Sequence, residues 1–401
     1  MWFQKEKAII DEQKIEDLLS RGVFESIPEQ EIKDKLYSGR VLRVKMGIDP
    51  TSPNIHLGRA VAIHKLRVFQ ELGHKIVFLI GDFTGVIGDT SDKESERPML
   101  TQDTVSTNMA SYFDQVGKIL DMSKVEKHYN SEWLSKLAYK DISLQADAFS
   151  VADFIARENI KKRLDAGTRV SLREVLYPLM QGYDSVAIKA DIEIGGSDQK
   201  FNLLAGRKLQ EKYKQSPQSV MMVKLLAGLD GRKMSSSWGN TINLTDSAKD
   251  MFGKVMSLSD SLIMDYADLA AYMNKDEVEA MSLEINKGGN PKDQKILLAK
   301  KIVGLYHSNE QAEKEALNFE KTFSNKEIPD DVLVVSGNSG DSLSALFIDS
   351  GVIASMSEFR RLVQSGAIET ENGEKISDVK CVAKSGKYRI GKKRFISLNI
   401  K

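Results

Sequence analysis

Apolar and polar positions alternate through VLRVKMGID (Val41 to Asp49), the period of a strand with one buried face, and KIVFLIGD (Lys75 to Asp82) is a short apolar run of buried-strand length. Between them, GRAVAIHKLRVFQELG repeats apolar residues at helical spacing and stops at Gly73. Strand, helix and strand over about 40 residues predict a right-handed parallel βαβ unit. A second such passage follows a helix from Ser171 to about Lys189: DIEI (Asp191 to Ile194) precedes a Gly195-Gly196 turn and a further helix from about Gln199. The two passages together predict an α/β open parallel sheet with helices on both faces, where ligands sit beyond the carboxyl ends of the strands.

Residues 1–40 read as an N-terminal helical segment before the catalytic-type domain of 41–245. Residues 246–324 show only helical pattern, dominated by Met, Leu, Ala and Lys, and predict a separate helical domain. NKEIPDDVLVVSGNSGDS mixes Pro, Gly, Asn and Asp without helical period, so 325–341 reads as a linker. Past it, SLSALFIDSG and SMSEFRRLVQSG predict short helices and AIETENGEKI and KRFISLNI strands, a small α plus β module over 342–401.

Composition narrows the function classes. A chain of 401 residues suits several domains. Its apolar and charged fractions of 41% and 28% are those of a soluble protein, without the roughly 20 consecutive apolar residues of a membrane span. The charged N-terminus lacks the apolar core of a secretory signal, and Cys381 is the single cysteine, so a cytoplasmic location with neither disulfides nor a thiolate metal cage is expected. Lys plus Arg and Asp plus Glu balance at 57 each, yet Lys380 to Lys401 contains eight basic residues and no acid, a candidate phosphate-binding surface.

Two loops carry candidate nucleotide chemistry. In GIDPTSPNIHLGRA (Gly47 to Ala60), Gly47 and Gly58 allow close backbone approach to a ligand. Asp49, Thr51, His56 and Arg59 place polar groups at the sheet mouth and helix start, where exposed N–H groups favour an anion. In GLDGRKMSSSWGN (Gly228 to Asn240), Arg232, Lys233 and three serines make a cationic strip able to close over phosphates. No Walker A or G-x-G-x-x-G pattern occurs. A third segment, SLREVLYPLMQGYDSVAIKADIEIGGSDQKFN, begins with a capping box of Ser171 and Glu174. Tyr177, Gln181 and Asp184 then fall at i, i+4 and i+7, on one helix face. A carboxylate facing an apolar sheet needs a donor, either a ligand hydroxyl or a structural salt bridge.

The two loops in this order resemble the paired motifs of class I aminoacyl-tRNA synthetases: His56-Leu57-Gly58-Arg59 is similar to His-Ile-Gly-His, and Lys233-Met234-Ser235-Ser236-Ser237 to Lys-Met-Ser-Lys-Ser. The Tyr-x-x-x-Gln-x-x-Asp helix followed by Gly195-Gly196-Ser197-Asp198-Gln199 resembles the tyrosyl branch, from about Gln13 to the C-terminus. The resemblance implies a Rossmann-like catalytic domain, a helical anticodon-side domain and an S4-like RNA-binding domain. It implies activation of tyrosine by ATP with Mg²⁺, then transfer to the 3′ end of tRNA(Tyr), by a homodimer that holds no metal of its own. Catalytic residues would be His56, Arg59, Lys233 and Ser235. ATP would be bound by Gly47, Asp49, Thr51, His56, Gly58, Arg59, Gly196, Asp198, Lys233, Met234 and Ser236. Tyrosine would be bound by Gly47, Thr84, Asp89, Tyr177, Gln181, Asp184 and Gln199, with Asp184 accepting the phenolic proton. Arg360, Arg361, Lys387, Lys392, Lys393 and Arg394 would meet tRNA phosphates. The chain departs from the pattern at Arg59, at Ser236 and at Lys45, where one branch has tyrosine. Arg232 and Lys224 are candidate substitutes for the lost lysine charge, and a non-catalytic RNA-binding paralogue is the alternative reading.

Overall fold

The computed structural model describes residues 7–89, 98–321, 332–391 and 394–401. The chain divides into two compact units, Met1–Asn309 and Glu310–Lys401.

The first unit is built on a 6-stranded sheet in the order β1-β6-β5-β2-β3-β4. Its strands are β1 (Val23–Ile27), β2 (Arg43–Ile48), β3 (Lys75–Ile80), β4 (Val125–Tyr129), β5 (Ile192–Gly196) and β6 (Ser219–Val223). Every pairing is parallel except that of β1 with β6. β3 and β6 are nearly or wholly buried, which explains their unbroken apolar runs. The helix Leu57–Glu71 is buried on most of its faces, with Leu57, Ile63, Leu66 and Phe69 among its buried apolar side chains. Each large apolar side chain so buried contributes roughly 1.5–3 kcal/mol, and truncating Phe69 to alanine would cost about 3–5 kcal/mol.

From β2 the chain winds outward through β3 to β4, and from β5 the other way to β6, so the winding reverses between the adjacent strands β2 and β5. That reversal opens a crevice beyond their carboxyl ends. The helix Leu172–Ile188 runs above it, started by the expected box: Ser171 Oγ accepts from Arg173 N at 3.3 Å and Glu174 Oε1 from Ser171 N at 3.0 Å. Arg163, 3% exposed, pairs with the same Glu174 and anchors that start.

Residues 246–321 contain helices and no strand. The helices Ala248–Met256, Ile263–Leu269, Lys275–Asn286 and Pro291–Tyr306 fall in the same compact unit as the sheet. Among the described residues no helix is long and apolar enough to cross a membrane.

The second unit carries a 4-stranded sheet in the order β7-β10-β9-β8. Its strands are β7 (Leu333–Gly337), β8 (Ile368–Thr370), β9 (Gly386–Ile390) and β10 (Arg394–Ile400). The helices Leu343–Asp349 and Met356–Gln364 pack on it through Phe347, Phe359, Tyr388, Ile390, Ile396 and Leu398. Ser355 and Glu358 cap the second helix, with Ser355 Oγ accepting from Glu358 N at 3.3 Å and Glu358 Oε2 from Ala354 N at 2.9 Å.

Three sequence expectations need correction. Residues 1–40 are not helical throughout, because Val23–Ile27 forms the antiparallel edge strand β1. Within the expected linker 325–341, Leu333–Gly337 is a strand paired in parallel with β10. Its flanking Pro, Asp and Gly hide the signal, and as an edge strand it is mostly exposed. In AIETENGEKI only Ile368–Thr370 is extended, and Thr370–Gly373 turns back so that Glu369 bridges Lys375.

Candidate active site

Three residues expected on one helix face line the crevice: Tyr177, Gln181 and Asp184. Asp184 is 3% exposed and its donors are neutral. Trp133 Nε1 donates to Oδ1 at 2.7 Å and Asn130 Nδ2 to Oδ2 at 3.3 Å. Burial raises its pKa to about 7, although Lys45 and these two hydrogen bonds pull the other way. A carboxylate at that value, held by neutral donors, is suited to accept a hydroxyl proton.

Tyr177 Oη donates to Asp49 Oδ2 at 2.8 Å, and Thr84 Oγ1 to Asp49 Oδ1 at 2.7 Å. Burial raises Asp49 to about 6 against these hydrogen bonds, and raises Tyr177 well above the usual tyrosine range. Asp49 therefore turns its carboxylate toward Thr84 and Tyr177, expected amino-acid ligands, rather than standing apart with the nucleotide group. Asp89 accepts from Gln199 Nε2 at 2.7 Å and completes this side of the crevice. Gly81, which the sequence reading passed over, is needed here: a Cβ would fall 2.0 Å from Asp49 Oδ1 and 2.3 Å from Thr84 Oγ1.

The opposite wall is made by the two motif loops. His56 precedes the helix Leu57–Glu71 and is tied to the chain after the second loop by a bridge to Asn243 and by the bond from Leu57 N to Ile242 O. Gly58 N donates to Met234 Sδ at 3.3 Å, so the loops touch. A Cβ on Gly58 would press to 3.1 Å from His56 Nδ1, which explains glycine there. His56 is lowered to about 3 by burial, with Arg59 and Lys233 adding to the shift, so its imidazole is neutral near pH 7. Its buried Nδ1 has no hydrogen-bond partner among the described residues.

Arg59 Nη1 reaches the Asp49 carbonyl at 3.3 Å and Tyr112 Oη at 3.4 Å. Lys233 Nζ pairs with Asp198 at 2.9 Å, and Ser52 Oγ donates to Ser236 Oγ at 3.0 Å. Gly47, Thr51, Gly196, Met234 and Ser235 line the same crevice. The proposed substitutes for the missing lysine do not: Arg232 folds onto Asp230 and stacks over Trp238 at 4.6 Å, and Lys224 is exposed outside the lining.

Sequence reading missed Trp133 and Asn130. Both follow β4, whose polar-rich VEKHY hides the strand, although residues just past a parallel strand's carboxyl end are where ligand contacts gather. It also missed the buried pair of Lys45 with Glu193 at 2.8 Å in the crevice wall. In the second unit, Arg360 and Arg361 are exposed and Lys387 is partly so. Arg394 is engaged with Glu358 at 2.9 Å and the Val352 carbonyl at 2.7 Å. Lys392 and Lys393 lie outside the described residues. Among the described residues no group of three or more His, Cys, Asp or Glu is placed to hold a metal ion.

The family model of class I tRNA synthetases (W and Y) matches residues 37–324, more than half of the chain. The chain belongs to that family. Among similar class I synthetases, a tyrosine–tRNA ligase 2 of Vibrio parahaemolyticus is 44% identical over 386 residues, covering 96% of this chain and 98% of the relative. A tyrosine–tRNA ligase of Idiomarina loihiensis is 45% identical over 389 residues, covering 95% and 97%. By fold, the chain is similar to the Archaeoglobus fulgidus tyrosyl-tRNA synthetase complexed with L-tyrosine, at TM-score 0.60, 24% identity and coverage of 76% and 99%. It is likewise similar to a C-terminally truncated Aspergillus nidulans mitochondrial tyrosyl-tRNA synthetase, at TM-score 0.65, 20% identity and coverage of 77% and 94%.

Proposed function

We propose that this class I synthetase is a tyrosine–tRNA ligase. It joins tyrosine to ATP, giving tyrosyl adenylate and pyrophosphate, and passes the tyrosyl group to the 3′ end of tRNA(Tyr). The observation that carries the reading is Asp184, a buried carboxylate with two neutral donors, in one crevice with both motif loops. The names of relatives with over 40% identity across nearly the whole chain point the same way.

The phenol donates to Asp184, whose remaining acceptor capacity faces the crevice. Tyr177, Gln181 and Asp89 hold the ammonium group, Gln199 lies by the carboxylate, and Gly47, Asp49 and Thr84 shape the floor. One tyrosine carboxylate oxygen attacks the α-phosphorus in line as the bond to the pyrophosphate oxygen breaks. Catalysis is positioning plus charge stabilisation, with no covalent enzyme intermediate. Neutral His56 supplies a hydrogen bond, while Arg59, Lys233 and the Ser235–Ser236 loop face the phosphates. Gly58, Thr51, Gly196, Asp198 and Met234 complete the nucleotide cradle, and Mg²⁺ arrives with ATP. A ribose hydroxyl at the 3′ end of the tRNA then attacks the tyrosyl carbonyl, and AMP leaves.

The helical stretch 246–324 would face the anticodon side of the tRNA. The S4-like module of 342–401 would meet its phosphates through Arg360, Arg361, Lys387, Lys392, Lys393 and Arg394. Exposed Tyr139, Leu144, Val151, Ile155 and Leu172 offer an apolar surface for a homodimer. The enzyme would work in the cytoplasm. Charging of tRNA(Tyr) with labelled tyrosine tests the whole reading, and RNA binding without adenylate formation would favour a non-catalytic paralogue.

A further inference from the structure

The buried Lys45–Glu193 cluster of the crevice wall enters the chemistry above only through its charges beside Asp184. Lys45 on β2 and Glu193 on β5 are register partners whose side chains are 0% and 2% exposed. Replacing a buried ion pair by apolar residues of similar size is often neutral or stabilising, so stability alone gives no reason for this one.

Its hydrogen bonds suggest another use. Lys45 Nζ donates to Glu193 Oε1 at 2.8 Å, to Ser185 Oγ at 3.0 Å and to the Gln181 carbonyl at 3.2 Å. All three ammonium donors are committed, leaving none for a ligand. Glu193 Oε2 accepts from Ser185 Oγ at 3.0 Å and from Gln218 Nε2 at 2.5 Å, while Oε1 also accepts from Gln181 Nε2 at 3.3 Å. A carboxylate in this pairing only accepts, so the end of the Gln181 amide turned toward it must be the NH₂ group. Gln181 lines the crevice, and the amide oxygen is the end left for it.

We propose that Lys45 and Glu193 are positioning residues: Glu193, held by Lys45, locks the Gln181 amide with its oxygen toward the crevice, where it accepts from the α-ammonium group of the amino acid. This rests on the tyrosine reading of the site. Without the lock the amide can turn its NH₂ group toward the ammonium, replacing an attraction by a repulsion.

The test uses the full chain carrying Lys45→Met together with Glu193→Leu, which removes both charges. The expected result is a rise in KM for tyrosine of roughly ten- to a hundredfold, the loss of one hydrogen bond to a charged group, with kcat and the KM for ATP far less changed. Tyramine and desaminotyrosine as competitive inhibitors locate the loss. Tyramine, which keeps the ammonium, should weaken as tyrosine does, whereas desaminotyrosine, which lacks it, should bind as before. An unchanged tyrosine KM, or equal weakening of both analogues, overturns the proposal.

Should the double variant fail to fold, Lys45→Leu together with Glu193→Met replaces it, an apolar pair that also removes both charges and the lock on Gln181, and the same split between the analogues is required. Failure of the underlying reading is separately visible, because the unaltered enzyme would then show no tyrosine-dependent pyrophosphate exchange. The analogue pair of whichever amino acid it does activate would still report on the ammonium contact.

Discussion

Replacing Asp184 by asparagine removes the charge that meets the phenol while keeping the side chain's shape and one carbonyl oxygen for the Trp133 N–H at 2.7 Å; its new NH₂ group faces the Asn130 donor, so that bond alone is lost with it. Alanine would strand both Trp133 and Asn130, at about 1–3 kcal/mol for each unsatisfied donor. The asparagine variant loses one hydrogen bond from the phenol to a charged group, worth about 1.5–3 kcal/mol, or roughly ten- to a hundredfold in kcat/KM for tyrosine. Phenylalanine makes no such bond, and its activation should change by less than about threefold. Stability responds to the same group. Burial raises the folded-state pKa of Asp184 from 3.8 to about 7, so the carboxylate costs the fold nothing at low pH. That cost grows as pH rises from the unfolded value toward about 7, on the order of a few kcal/mol at most. The melting temperature of Asp184→Asn relative to the unaltered protein should therefore rise with pH and level off above about 7. Pyrophosphate exchange with the two amino acids side by side, alongside melting curves, reads both effects. Equal losses for tyrosine and phenylalanine would refute the assignment of Asp184 to the phenol.

The same pKa gives a pH profile: the accepting carboxylate is lost as pH falls through about 7, so kcat/KM for tyrosine should climb through that value and level off, and the Asp184→Asn variant should lack this step. Lys233→Ala removes the cation now parked on Asp198 at 2.9 Å. Single-turnover adenylate formation should slow about a hundredfold or more while tyrosine affinity, measured by calorimetry, holds. Ser236→Lys should speed the same step by about tenfold, since Arg232 and Lys224 are not in the crevice to compensate; an unchanged rate would mean Arg59 already supplies that charge. Replacing both Arg360 and Arg361 by alanine should spare pyrophosphate exchange, weaken tRNA binding and reduce its salt slope by about one for each phosphate no longer neutralised.

The parts of the fold legible in sequence were those with strong periodicity. β2, β3 and the helices Leu57–Glu71 and Leu172–Ile188 follow directly from alternation, apolar runs and the Ser171–Glu174 box. Edge strands were not legible. β1 is mostly part-buried and β7 mostly exposed, so neither burial pattern nor composition marks them, and their partners are distant in sequence. The site divides in the same way. Tyr177, Gln181 and Asp184 share a helix and announce themselves by spacing, whereas the groups that make Asp184 useful come from other elements: Trp133 and Asn130 beyond β4, Lys45 from β2. Only the sheet order brings those elements together. The joint orientation of Asp49 by Thr84 and Tyr177 likewise needs three elements in register.

Whether this crevice activates tyrosine is the point on which the proposed function stands. Exchange of labelled pyrophosphate into ATP by the unaltered enzyme, run in parallel with tyrosine, phenylalanine and tryptophan, tests it most directly. Rapid exchange with tyrosine alone is the expected result; exchange that prefers either other amino acid, or none at saturating tyrosine and ATP, would contradict it.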